Sequence, residues 1–276
     1  MESSKTTLPE GAKAQRVYLA LREEIVNSTY PPGQSLPGEH KLAKKFSVSR
    51  VTVRRALGAL SNDGLVRKHA SIGTLVCQPK ASDNRVEMDF STLMPQLAEM
   101  SRNTSAQLLS FTYGSAPEHV SDALGLDIDA TVQKAIRVRS ANDQPFSHLT
   151  TYVPESIASS YSEQDLASTP MFELLERSGI EIDNAHQSVT ATLASPAIAE
   201  ALGVAVGSAL LSLQRVVCDK QGRGVEFLSA RYRPDLFSIN MTLARVKDGT
   251  ARYWEPAIAP NDTASTPTSA TRQFSS

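Results

Sequence analysis

A segment of helix, strand, turn and strand occurs twice in the C-terminal half of this 276-residue chain, at an offset of 78 positions. The letters ALG at 123–125 return at 201–203, and RV at 137–138 returns at 215–216. The first helix of each copy has proline near its start and glycine after its last apolar residue, as short helices often do. Two copies are too few for a solenoid. The duplication therefore predicts one α+β domain built on a pseudo-symmetric antiparallel sheet.

The first 78 residues follow a different pattern. Apolar residues in 13–28 lie on one helical face, and the proline- and glycine-rich stretch TYPPGQSLPGEH ends that helix. A short helix over 39–46, a turn at 47–48 and a third helix with Ser49 as its N-cap follow. The third helix has the core spacing i, i+3, i+4, i+7, at Val53, Ala56, Leu57 and Leu60. With the strand pair LVRK and TLVCQ behind it, this order predicts a winged helix-turn-helix.

The third helix presents a basic face once its apolar face is buried. Arg50 and Arg54 then point outward one turn apart, with Thr52 beside them. Arginine can donate two hydrogen bonds to guanine, whereas serine and threonine hydroxyls donate hydrogen bonds to phosphates. On the helix alone, a solvated basic surface and a DNA-reading surface are equally good interpretations. The turn, the hairpin and the flanking Lys41, Lys44 and Lys45 favour DNA binding.

Charge is distributed unevenly along the chain. The formal net charge is −1, yet residues 1–78 hold 12 basic and 6 acidic residues, and the remainder is acidic. Within 41–68 the count is 8 basic to 1 acidic. This asymmetry is typical of a nucleic-acid-binding module joined to a module with another task.

The stretch SLPGEHKLAKKFSVSRVTVRRALGALSNDGLVRKHASIGTLV resembles the DNA-binding domain of GntR-type bacterial transcription regulators. The resemblance implies base contacts from Arg50 and Arg54, backbone contacts from Ser49 and Thr52, and a DNA contact from His40. It also implies a wing at Gly73 and Thr74. Ser71 stands where the family has the first wing glycine, so this wing lacks one of the glycines that let the tip approach the minor groove closely.

The second half resembles the UTRA effector-binding domain of the HutC subfamily, which has a chorismate-lyase-like fold. The resemblance rests on AIRVRSANDQPFSHLTTYVP, DLASTPMFELLERSGI and GVEFLSARYRPDLF, in that order. It implies an effector pocket, and the matching residues are Ser91, Thr92, Arg137, Arg139, Glu226 and Tyr232. Two arginines in one pocket call for an anionic ligand; the alternative is that they form ion pairs on a sheet surface.

Leu149 departs from the pattern of sugar-phosphate-sensing members, which have an acidic residue there. The leucine side chain cannot accept a hydrogen bond from a sugar hydroxyl group. We therefore expect the effector to be a smaller and more apolar acid than an amino sugar phosphate.

The sequence thus predicts an α+β protein in which an N-terminal winged helix-turn-helix is joined to a chorismate-lyase-like antiparallel-sheet domain. The expected divisions are a DNA-binding domain (1–78), a linker (79–88), an effector and dimerisation domain (89–250) and a disordered tail (251–276). We expect a homodimer that binds a pseudo-palindromic operator and a small acidic effector, with no membrane partner and a cytoplasmic location.

No catalytic residue, metal site or cofactor is predicted, because the five histidines and two cysteines are scattered without ligand spacing. Two alternatives remain open. One is a chorismate-lyase-like enzyme fused to a DNA-binding domain, in which Arg137, Arg139 and Glu226 bind and protonate a substrate. The other is an architectural DNA-binding protein without a ligand.

Overall fold

The computed structural model of the chain describes residues 8–69, 71–77, 86–89, 104–248 and 251–256. The predicted effector residues Ser91 and Thr92 lie outside these ranges, as do most of the predicted linker and the residues after 256.

Three helices form the body of the N-terminal domain: α1 (Ala12–Val26), α2 (Glu39–Phe46) and α3 (Arg50–Asn62). Their apolar faces meet in one core, in which Val17, Leu21 and Leu42 are fully buried. In α3 the predicted core spacing is confirmed: Val53, Ala56 and Leu60 are buried, and Leu57 packs against them half-buried. The opposite side of α3 is therefore forced toward solvent.

The turn between α2 and α3 is set by two serines. Ser47 takes the left-handed conformation (φ 52°) at the C-terminus of α2. Ser49 is the N-cap of α3, and its side chain accepts a hydrogen bond from the backbone N–H of Thr52, as predicted. The wing follows as an antiparallel pair, β1 (Val66–His69) and β2 (Gly73–Val76).

The C-terminal domain is built from two matching units. The first has β3 (Val86–Asp89) ahead of it and comprises β4 (Ser105–Ser115), α4 (Glu118–Leu124), β5 (Thr131–Ala141) and β6 (Gln144–Pro154). Three short helices follow: α5 (Glu155–Ala158), α6 (Glu163–Ser168) and α7 (Met171–Arg177). The second unit comprises β7 (Ile182–Leu193), α8 (Pro196–Leu202), β8 (Ala209–Asp219) and β9 (Gly224–Tyr232). The chain then forms β10 (Phe237–Asn240), β11 (Leu243–Asp248) and β12 (Ala251–Pro256).

The predicted duplication is confirmed in three dimensions. The six long strands form one antiparallel sheet in the order β4-β5-β6-β9-β8-β7, so that the two units meet at β6 and β9. Helix α8 and strand β8 begin and end 78 positions after α4 and β5, the offset seen in the sequence. The sheet therefore has pseudo-two-fold symmetry, with β4 and β7 as its two edges.

Helices cover both faces of this sheet. On one face α4 packs on β9, and Val120 and Leu124 contact Tyr152 and Phe227. The packing is close at Gly224, where an added Cβ would lie 2.6 Å from Leu124 Cα. On the other face α5, α6 and α7 pack over the ends of the strands, with Leu166 and Leu174 among the buried residues. Residues on this second face are enclosed between the sheet and the helices.

Two predicted boundaries are wrong. Strand β3 pairs in parallel with β10, so residues 86–88 belong to the C-terminal domain rather than to the linker. Strand β12 pairs with β11, so residues 251–256 are ordered strand rather than disordered tail. The partner of β3 lies far away in the sequence, and the partner of β12 is the strand directly before it. The polar composition alone indicated neither pairing.

Candidate functional sites

The outward face of α3 carries the predicted DNA-reading residues. The side chains of Arg50 and Arg54 are 61% and 60% exposed, one turn apart. Val51 is also exposed, at 57%, although sequence reasoning assigned it no role. Burial of the other face of α3 turns Arg50 and Arg54 toward solvent. The two arginines therefore point outward, as the sequence predicts.

Glu39, at the start of α2, lies between the two arginines. Its Oε2 accepts a hydrogen bond from Arg54 Nε at 2.8 Å and lies 3.7 Å from Arg50 Nη2. Glu39 was noted in the sequence only as part of a family pattern. One carboxylate thus lies within ion-pair distance of both guanidinium groups and is hydrogen-bonded to that of Arg54.

Ser49 and Thr52 lie together at the N-terminus of α3. Their hydroxyl oxygens are 2.9 Å apart, and the Ser49 oxygen also accepts from the Thr52 backbone N–H at 3.2 Å. This pair lies where the helix dipole and the first N–H groups favour a phosphate. His40 lies exposed in the first turn of α2.

The wing is held to the helical body by Ser35. Its hydroxyl donates to the Ile72 carbonyl at 3.0 Å, and Ser35 pairs with Leu75 in an isolated β-bridge. Gly73 has φ +94°, a conformation in which side chains are strained. Thr74 is half-buried, and Ile72 is 55% exposed at the wing tip, an apolar contact point that the sequence argument missed.

The register of the sheet places four predicted effector residues on one face, here called the effector face. Paired residues on neighbouring strands point to the same side of a sheet. Arg139 pairs with Ser147, which in turn pairs with Tyr232, and Arg137 is two residues from Arg139. Glu226 is six residues from Tyr232 on β9 and therefore shares its face. All four side chains are at least 94% buried.

Burial dominates the electrostatics of these groups. It lowers the pKa of Arg137, which the charge of Glu226 partly offsets. Burial and then the neighbouring Arg137 lower the pKa of Arg139 to about 10. Burial raises the pKa of Glu226, and Arg215 and Arg137 oppose that rise. The groups sense one another's charge, so they form one buried cluster.

Arg215 is a member of this cluster that sequence reasoning missed. It lies 78 positions after Arg137, at the matching place in β8, so the repeat itself was the signal that could have found it. Its charge lowers the pKa of both Glu226 and Tyr232 from their burial-raised values. Arg215 Nε donates to Gln187 Oε1 at 2.8 Å, which holds the guanidinium against β7.

The face of the sheet opposite the effector face has a groove of about 490 Å³ between α4 and β7. His119 and Ala123 of α4, His186 and Ser188 of β7, and Phe227 of β9 line it. Of the buried cluster, only Arg215 borders it. The groove therefore lies apart from Arg137, Arg139, Glu226 and Tyr232.

Family models match both parts of the chain. Residues 13–76 match the model of bacterial regulatory proteins of the gntR family, and residues 99–238 match the UTRA domain. The chain belongs to the GntR family. Its UTRA domain confirms the predicted fold class, an α+β protein with an N-terminal winged helix-turn-helix and a C-terminal antiparallel sheet.

Curated relatives span most of the chain. The HTH-type transcriptional regulator Rv0792c of Mycobacterium tuberculosis is 30% identical over 84% of this chain and 86% of its own length. The HTH-type transcriptional repressor NagR of Bacillus subtilis is 27% identical, over 79% of this chain and 89% of its own. The histidine utilization repressor of Pseudomonas putida is 27% identical, over 72% and 79%. These relatives are regulators, so this GntR-family chain is a DNA-binding transcriptional regulator of the HutC type and not an enzyme.

A solved structure shares the fold. The transcriptional regulator YydK of Bacillus subtilis superposes with a TM-score of 0.53, covering 84% of this chain and 99% of its own, at 17% identity.

Among the described residues, no three His, Cys, Asp or Glu side chains lie together in a metal-binding group. No helix within the described ranges is long and apolar enough to cross a membrane.

Proposed function

We propose that this GntR-family regulator is a repressor that releases its operator when a small anion binds between Arg137 and Arg139. The observation that carries the proposal is a charge imbalance on the effector face. Arg137 and Arg215 both act on the charge of one carboxylate, Glu226, whereas the charged groups that act on buried Arg139 are Arg137 and Tyr232. Burying guanidinium groups with too few partners costs free energy, and a bound carboxylate or phosphate would offset that cost.

The DNA-binding half of the proposal assigns a role to each exposed group. Arg50 and Arg54 read base edges in the major groove, while Ser49, Thr52 and His40 contact the phosphate backbone. Gly73 and Thr74 belong to a wing that lies along the duplex. The exposure of both arginines, the ion pairs that both form with Glu39 and the position of Ser49 and Thr52 at the N-terminus of α3 support these assignments.

The proposed regulator acts in the cytoplasm as a homodimer on a pseudo-palindromic operator, with β7 as the dimer contact. Nine residues of this 12-residue edge strand are exposed, including Val189 and Leu193. From Asn184 to Leu193 it carries no Lys, Arg, Asp, Glu or Pro, the residues that keep edge strands from pairing. An uncharged edge is complementary to a second copy of itself in antiparallel pairing.

The dimer contact is tested by the mass of the protein in solution. Val189→Lys should shift the particle from dimer to monomer in light scattering, because two lysines would then face each other across the contact. Leu109→Lys on β4, the other edge of the sheet, is the matched control. A dimer that survives Val189→Lys but not Leu109→Lys would move the contact to β4.

Effector control is tested by operator release. Fluorescence anisotropy with an operator duplex is measured with and without a panel of carboxylic acids and phosphate esters. We expect at least one acid to weaken operator binding of the wild type and to have little effect on Arg137→Ala. An acid that releases both proteins equally would place the effector site elsewhere.

A further inference from the structure

Unpaired polar atoms are concentrated on the effector face. Five buried side-chain atoms have no hydrogen-bond partner within the described residues, and four of them belong to Gln133, Arg137, Ser147 and Thr151. The fifth, Asp63 Oδ1, is in the N-terminal domain. A buried polar atom without a partner costs about 1–3 kcal/mol, so four together on one face need a physical reason.

Strand register shows that these four residues share one side of the sheet. Ser147 pairs with Arg139, and Thr151 pairs with Ala135, which is two residues from Arg137 and from Gln133. Gln133, Ser147 and Thr151 are fully buried at 0% exposure. The unpaired groups therefore lie on both sides of the arginine pair: Ser147 beside Arg139, and Thr151 with Gln133 beyond Arg137.

Tyr161 closes the far end of this row. Its hydroxyl donates to Gln133 Oε1 at 3.3 Å, which leaves the other half of the Gln133 amide free among the described residues. Tyr161 also senses the charge of Glu226 and of Arg137, so it lies over the same cluster. The Glu226 carboxylate would repel a second anion at this end of the row, whereas a neutral hydroxyl or amide group would not be repelled.

We infer that Gln133, Ser147 and Thr151 are effector-binding residues, and that the effector is an acid whose hydroxyl or amide groups extend from its anionic centre at the arginine pair toward Thr151 and Gln133. This inference rests on the proposed function, since it needs the anion to lie at Arg137 and Arg139. It replaces the expectation of a smaller and more apolar acid. Leu149 lies on the effector face beside Arg137 and provides an apolar patch between polar neighbours.

The spacing sets a minimum size for the ligand. Thr151 follows Ser147 by four residue steps of extended strand, which is about 13 Å along the backbone. A ligand that meets both hydroxyls is therefore about six or more heavy atoms long. A plain short-chain acid would leave these groups unpaired and would bind more weakly.

The test compares acids in pairs that differ only in hydroxyl groups. Gluconate against hexanoate, and glucose 6-phosphate against hexyl phosphate, are titrated by calorimetry into the full-length protein. We expect the hydroxylated member of at least one pair to bind about tenfold tighter or more. Equal affinity within both pairs, or no binding by any of the four, would overturn the inference.

Variants assign the preference to these residues. Thr151→Val and Gln133→Leu should remove most of the advantage of the hydroxylated acid, and Thr150→Val is the matched control, because residue 150 points to the opposite face. A preference that persists in both test variants overturns the inference. If either variant fails to fold, the pairwise comparison in the wild type still decides it.

Arg137→Ala separates this inference from the proposed function. Binding that needs Arg137 but ignores hydroxyl groups would leave the effector site standing and refute the role of Gln133 and Thr151. Binding that ignores Arg137 would refute the proposed site itself.

Discussion

Glu39 Oε2 and Arg54 Nε lie 2.8 Å apart and join the first turn of α2 to the outward face of α3. Because the Arg54 side chain is 60% exposed and that of Glu39 is 25% exposed, solvent weakens the pair and its contribution to folding stability is small. In the proposed mode of DNA binding, the pair holds the Arg54 guanidinium in one orientation for base contact.

Glu39→Gln is the first prediction. Loss of the carboxylate frees Arg54 and Arg50 and removes a negative charge near the phosphates. Affinity for random duplex should rise, while the ratio of operator to random-duplex affinity should fall several-fold. Anisotropy titrations at one fixed salt concentration measure both.

Glu24→Gln is the control for this first prediction. Glu24 forms a comparable ion pair with Lys45, at 2.6 Å, but away from α3. Its loss should leave the ratio unchanged. If Glu39→Gln and Glu24→Gln behave alike, the effect is one of overall charge and not of orientation.

The second prediction concerns the three arginines of α3. Arg50→Ala and Arg54→Ala should each cost ~1–3 kcal/mol in operator binding and relax specificity at the contacted base pair. Arg55 is exposed about 100° around α3 from Arg54, where it would meet the DNA backbone or solvent, so Arg55→Ala should weaken operator and random duplex about equally. Titration against operators with single base changes distinguishes these patterns. Unchanged operator binding in both Arg50→Ala and Arg54→Ala would refute the assignment of α3 as the recognition helix.

Two glycines of the N-terminal domain should respond to alanine in opposite ways, which is the third prediction. Gly73 has φ +94°, so Gly73→Ala should destabilise the domain by about 1–2 kcal/mol. Gly58 lies inside α3 with nothing within 4 Å of an added Cβ, so Gly58→Ala should stabilise it by ~0.5–1 kcal/mol. Urea unfolding measures both. Loss of stability in both variants would show that Gly58 has a packing role the structure does not reveal.

Much of the site follows from short-range periodicity. A period of two along β5 puts Arg137 and Arg139 on one face, and the helical period of α3 turns Arg50 and Arg54 outward. These assignments need only a correct choice of helix or strand. The 78-residue repeat likewise predicts the paired units, since the same local pattern folds in the same way twice.

Relationships across the chain could not be read in this way. Glu39 meets Arg54 only because α2 docks on α3, and the unpaired state of Thr151 depends on what every neighbouring strand and helix supplies. Strand β3 pairs with β10, some 150 residues later, and its polar sequence gives no sign of that partner. The β11–β12 hairpin did have a signal, the glycine that follows Asp248, because glycine is typical of turns between strands.

The pH dependence of stability isolates Glu226 and is the fourth prediction. Burial raises its pKa above the ordinary value of 4.5, although Arg215 and Arg137 oppose the shift. The folded protein thus holds this proton more tightly than the unfolded chain, so stability from this group is present below pH 4.5 and is lost as pH rises through the folded pKa.

The measured quantity is the free energy of unfolding of the wild type minus that of Glu226→Gln, obtained by urea denaturation at a series of pH values. This difference should fall as pH rises from 4.5, by at most about 1.4 kcal/mol per pH unit, and should then become level. Exposed Glu200→Gln should give no such fall. A difference that rises with pH would mean that the arginines stabilise the Glu226 carboxylate more than burial disfavours it, and the charge imbalance proposed for the effector face would then be largely neutralised within the protein itself.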